Sequence, residues 1–187
     1  MANCPQLANR LAADDCVENP GGLGSVMYVL EKKHINTAKF KLEDGSNAYP
    51  ALEVNGDDGT LKTGAKLYKF ECKENGQGMT NTSLGRCKMF RQQLDYVIEA
   101  VNAESAKVAR ALNNLDLAYI VKRAGVWYIV YDPDHKFVYD NGGISFETGK
   151  NPEDEAQVNL SGYLSPTLYP LYTVEEPEAG WDSLVAS

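Results

Sequence analysis

The stretch from Leu117 to Tyr131 constrains this chain more than any other. Leu117-Ala118-Tyr119-Ile120-Val121 and Val126-Trp127-Tyr128-Ile129-Val130-Tyr131 are apolar at nearly every position and rich in β-branched and aromatic residues. Arg123-Ala124-Gly125 between them supplies turn chemistry, so the stretch reads as a β-hairpin. Strands apolar on both faces cannot lie against water, and both of these are expected to be covered on each side. A chain of 187 residues is long enough to build one domain around them.

More strand signals surround the hairpin. Residues 25–30 form a β-branched and aromatic run. In 38–43 the alternation puts Ala38, Phe40 and Leu42 on one face, and 51–54 carries a weaker signal. In 66–73, Tyr68, Phe70 and Cys72 face one way and Leu67, Lys69, Glu71 and Lys73 the other, the pattern of a half-buried antiparallel strand. Short strands are expected at 137–139, 144–148 and 157–160. Residues 44–64 are turn-rich, and the polar, glycine-containing 74–86 reads as a long mobile loop.

Residues 87–101 fit two periods. As a strand, Phe90, Leu94, Tyr96, Ile98 and Ala100 share one face, while Arg91, Gln93, Asp95 and Glu99 share the other. As a helix, Phe90, Leu94, Val97 and Val101 align. The β-prone Tyr96-Val97-Ile98 and the length of the alternation favour the strand. One helix is clear, at 103–113, with Asn102 placed to cap it and Asn113-Asn114 to end it. Several strands, one helix, then several strands make a mostly β, α+β fold with a β-sandwich or barrel-like core. The expected organisation is an N-terminal arm at 1–24, closed by Asn19-Pro20-Gly21-Gly22, a single domain at 25–174, and a loose acidic tail at 175–187.

Charge narrows the function classes. The net charge is −8, and beyond Gly149 there is one base, Lys150, against seven acids: Glu153, Asp154, Glu155, Glu175, Glu176, Glu178 and Asp182. A protein that grips phosphates needs clustered Lys and Arg, so tight nucleic-acid binding is not expected. No apolar run suits a signal peptide or a bilayer span, so the chain is expected to be made and kept in a cytoplasm, with no membrane segment.

Catalytic patterns are not evident. Cys4, Cys16, Cys72 and Cys87 form no close pair of the zinc-binding kind and read as buried or idle thiols. His34 reads as a surface residue, and Asp132-Pro133-Asp134-His135 as turn chemistry. Ser145 lacks a nucleophile-elbow setting, no glycine run matches a phosphate loop, and Asp57-Asp58-Gly59 is only a fragment of a calcium loop. Glu153-Asp154-Glu155 reads as a solvated turn. No catalytic residue, metal or cofactor is therefore expected. The eleven tyrosines are less ordinary. Tyr163, Tyr169 and Tyr172 lie among prolines in 161–174 and suit either packing on the parent domain or burial against another subunit.

From the helix onward the order of elements becomes suggestive. Glu104 to Leu112 leads into Leu117 to Val121 and Gly125 to Tyr131, followed by Asn141-Gly142-Gly143 and by Phe146-Glu147-Thr148-Gly149-Lys150. Over residues 87–174 this resembles the tail tube proteins of tailed bacteriophages. The resemblance implies a structural virion protein, a β-barrel-like subunit that joins five others in a ring. Inner strands would line a channel for DNA, and rings would stack into a tube made in the host bacterial cytoplasm. The implied partners are sister copies, other tail proteins and passing DNA. Long loops and the arm would cross between subunits. On the strand reading, Gln93, Asp95 and Glu99 are the candidate lumen-facing residues, and Tyr163, Tyr169 and Tyr172 the candidate inter-subunit ones. The competing expectations are a β-sandwich module binding a peptide or glycan, and another virion ring component such as a tail terminator or adaptor.

Overall fold

The fold is described from a computed structural model, which describes residues 22–42, 44–73, 76–85, 88–99, 101–148 and 156–186. The strands are β1 (Val26–Glu31), β2 (Ala48–Tyr49), β3 (Tyr68–Glu71), β4 (Gly78–Ser83), β5 (Phe90–Glu99), β6 (Leu117–Arg123), β7 (Val126–Val130), β8 (Phe137–Glu147), β9 (Gln157–Thr167) and β10 (Tyr172–Val174). The helix is α1 (Ala103–Asn114). Two sheets result. One has six strands in the order β2-β10-β7-β6-β1-β3, the other four in the order β4-β5-β9-β8. The mostly β reading with one α-helix holds.

The apolar hairpin is the centre of the larger sheet. Ala124 and Gly125 both adopt positive φ, at 48° and 81°, between the paired Arg123 and Val126. That is a two-residue turn whose twist matches its strands. Side chains then alternate between two apolar layers. Met27, Val29, Tyr119, Val121 and Val130 point to the four-stranded sheet and meet Leu94, Tyr96, Phe137, Val158, Leu160 and Leu164. Tyr28, Leu30, Ala118, Ile120, Trp127 and Ile129 point the other way. There they are covered by Ile35, Phe40, Leu52 and Leu61 from the loops before β3, and by Trp181 near the C-terminus. Both faces of the hairpin are thus buried, as its composition requires.

Helix α1 lies on the same face as the four-stranded sheet, with Leu112 in that layer and Val108 packed against it. Asn102 caps it: the Ser105 N–H donates to Asn102 Oδ1 at 2.8 Å, and Ser105 Oγ accepts from the Asn102 N–H at 2.9 Å.

Four expectations are corrected. Of the strand expected at 38–43, the described residues 38–42 are not a strand; Phe40 is buried because its ring stacks on Tyr49 at 4.6 Å, anchoring a turn. Residues 51–54 form no strand, although Leu52 is fully buried. Part of the supposed loop 74–86 is β4. The acidic segment after Val174 is packed rather than loose. Trp181 is 2% exposed between Tyr28 and Trp127, and Leu67 and Val185 form a parallel bridge.

Candidate functional site

The four-stranded sheet buries one face and presents the other. β5 pairs with β9 along its length, and Leu94 and Tyr96 point inward opposite Gly162 and Leu160. The alternate residues Arg91, Gln93 and Asp95 point outward, with Gln93 opposite Tyr163 and Asp95 opposite Ser161. The period-two pattern therefore places Gln93 and Asp95 on one polar face. Glu99 closes β5 opposite Gln157, and its side chain lies outside the described residues.

That face is hydrogen-bonded across strands. Ser161 Oγ donates to Asp95 Oδ1 at 2.5 Å, and Gln93 Nε2 donates to the same oxygen at 3.3 Å. Arg91 donates to Asp140 Oδ1 at 3.1 Å and lies over the Tyr163 ring, 3.7 Å from its centroid. The result is a fixed, mainly polar surface, with Val97 and the exposed Val138 also on it, in which the guanidinium is neutralised by Asp140.

Both edges of this sheet are open among the described residues: β4 pairs only with β5, and β8 only with β9. β4 reads Gly-Met-Thr-Asn-Thr-Ser, with no charge and no proline, the usual devices that blunt an edge. β8 is one strand of eleven residues rather than two short ones. Asn141-Gly142-Gly143, between the two strands expected there, is a bulge within it, where Asp140, Asn141, Gly142 and Gly143 stand opposite Ser161 alone. Gly142 has φ of 76°, and a Cβ on Gly143 would collide with the Ser161 carbonyl. A groove of about 480 Å³ separates this strand from α1, between Ala106, Ala109, Arg110 and Asn113 on one side and Tyr139 to Ile144 with Phe146 on the other.

The fold sets Tyr163 apart from the other two candidate inter-subunit tyrosines, whose rings touch. Tyr163 is half-buried on the outer face beneath Arg91. Tyr169 is half-buried against Tyr172, and its carbonyl accepts from Gln92 and Thr167. Tyr172 is corrected: it is 2% exposed in the chain's own core, packed on Tyr49, and its hydroxyl accepts from the Leu168 and Tyr169 N–H groups.

Elsewhere, Asp132 Oδ1 accepts from the backbone N–H groups of Asp134 and His135 and contacts His135 Nδ1 at 2.8 Å, a closed turn. Cys72 is a buried free thiol pushed up to about 11 by burial. Cys4, Cys16 and Cys87 lie outside the described residues. Among the described residues no three His, Cys, Asp or Glu side chains gather to hold a metal ion, and no helix is long and apolar enough to cross a membrane. Alternation missed β4, whose edge position removes the apolar side chains that would have marked it, and also the short β2 and β10. No family model, no curated protein and no solved structure matches the chain.

Proposed function

We propose that this chain is a structural subunit that assembles with sister copies into closed rings, and that stacked rings form a tube through which DNA passes in a phage tail. The observation that supports this most is the order β4-β5-β9-β8 with both ends open among the described residues. Successive strands are antiparallel, so β4 and β8 run in opposite directions. Rotating a copy about an axis along the strands leaves directions unchanged. The β4 of one copy then meets the β8 of the next as an antiparallel neighbour, and a head-to-tail contact of this kind closes into a ring. Each edge satisfies the other, which accounts for an uncharged edge strand in a protein with net charge −8.

Geometry and charge suit a channel. Four strands at about 4.8 Å spacing add roughly 19 Å of circumference per copy, so the six copies implied by the resemblance enclose a barrel roughly 37 Å across between backbones, more when tilted. The polar face of the sheet then lines the lumen, with Gln93 and Asp95 on it and Glu99 at its end. Carboxylates without unpaired cations repel phosphates and let a duplex slide. The role is structural, its place is the virion tail, and other tail proteins meet the ends of the tube.

A second reading is favoured by the groove between α1 and β8: an extended peptide could add to β8 there, as in peptide-binding modules. Thr80 and Thr82 of β4 are exposed, so replacing both by Lys blunts that edge without touching the core. Sedimentation of wild type and of Thr80→Lys with Thr82→Lys separates the readings. The tube reading expects rings from wild type and folded monomers from the variant; monomers from both favour the peptide module.

A further inference from the structure

Helix α1 leaves an apolar trough along β3. One hollow of about 170 Å³ lies among Phe70, Ile98, Val108, Leu112 and Val158. A second, of about 210 Å³, lies among Val29, Tyr68, Phe70, Val108 and Leu115. Phe70, Val108 and Leu112 line both, so the hollows are neighbours in one depression. Tyr68 and Leu115 stand 46% and 39% exposed at one end of it. Protein interiors have few such gaps, and an apolar cavity of about 150 Å³ already takes a benzene-sized group.

A hydrogen-bonding edge runs along the same trough. The Cys72 N–H donates to the Ser25 carbonyl, which turns the even residues of β3 toward β1 and the odd ones outward. Outward, Leu67 bonds to Leu184 and Ala186, and the Lys73 N–H bonds to the Val97 carbonyl. The backbone groups of Lys69 and Glu71 between them have no partner among the described residues.

The chain supplies a segment long enough to cover this place. Twenty-one residues precede Gly22, and the chain enters β1 beside the trough, with Val26 paired to Glu71. Gly22 is four residues from that pair, within about 14 Å, whereas twenty-one residues extend to about 70 Å. The segment carries Leu7, Leu11 and Val17. We propose that residues 1–21 dock in cis along β3, filling the hollows beside α1 with Leu7 and Leu11 and covering the Lys69–Glu71 edge. Docking covers the β3 edge of the larger sheet, whose other edge is the two-residue β2. The inference goes beyond the tube reading and does not rest on it.

Hydrogen exchange tests it on the full chain at a dilution where sedimentation shows monomer, beside the chain lacking residues 1–21 and the full chain with Leu7→Asp and Leu11→Asp. Docking expects the Lys69 and Glu71 amides, and those of 108–112, to exchange at least about tenfold faster in both altered proteins. The β6–β7 amides should be unchanged, which certifies folding. Equal exchange at Lys69 and Glu71 in all three overturns the proposal. So does protection that disappears on dilution of the wild-type chain, which would assign the segment to a neighbour. Ring formation is not read by any of these amides, so failure here leaves the tube reading standing, and the reverse.

Discussion

The hydroxyls of Tyr119 and Tyr139 lie 2.5 Å apart in the layer between the two sheets, tying β6 to β8. Tyr96 Oη lies 2.7 Å from the same Tyr139 oxygen, so Tyr139 is the middle of a three-hydroxyl chain. Burial raises the pKa of all three, which keeps them protonated as donors. Tyr139→Phe removes the shared partner of both neighbours, and denaturant unfolding should show a loss of about 1–3 kcal/mol. Tyr119→Phe leaves the Tyr96–Tyr139 pair intact and should cost less. Equal losses would mean the hydroxyls do not act as a chain.

Trp181 holds the C-terminal segment to the larger sheet through stacking on Tyr28, at 5.8 Å between ring centroids, and an edge contact with Trp127 at 5.3 Å. Trp181→Ala should cost about 3–5 kcal/mol in thermal or denaturant unfolding. It should also open the segment after Val174 to limited proteolysis.

Alkaline pH should destabilise the fold. Burial and then the Asp182 carboxylate push the Tyr28 phenol up to about 12 from its ordinary 10, while burial pushes Cys72 up to about 11 from 9. Both groups keep their protons longer when folded. Their contribution is complete below the ordinary values and is lost as pH rises through the folded ones. A group ionised only in the unfolded chain lowers stability by up to about 1.4 kcal/mol per pH unit. Urea midpoints should therefore fall between pH 9 and 12, and Tyr28→Phe should flatten the upper part of that fall. A flat profile across the range would contradict the burial described.

Reversing the charge of the polar face should change what an assembled channel does. Asp95→Lys with Glu99→Lys replaces two acidic residues of β5 by cations. Assemblies of this variant should retain duplex DNA at low salt and release it as salt rises, whereas wild type should not retain it. Identical behaviour would remove these residues from the lumen.

Much of this fold was legible because period and burial agree. Leu94 and Tyr96 alternate with Gln93 and Asp95, and the pleat does the rest. The Leu117–Tyr131 stretch announces coverage on both faces by composition alone. What failed did so for local reasons. β4 has Gly, Thr, Asn and Ser, which carry no periodic signal at an open edge. Ala38, Phe40 and Leu42 alternate without a strand, because one ring stacking on Tyr49 is enough to bury a turn. Trp181 sits among acids that read as a solvated tail, yet its ring outweighs them by reaching the Tyr28–Trp127 layer. Tyr172 and Tyr163 are nine residues apart in one tyrosine-rich segment and end in different environments, which only the paths of β9 and β10 decide.

Electron microscopy of the purified chain across a concentration series tests the central claim most directly. Sister copies joined β4 to β8 should appear as closed rings with a central opening, stacking into tubes as concentration rises. Compact single particles at every concentration, with no ring at any salt, would contradict it.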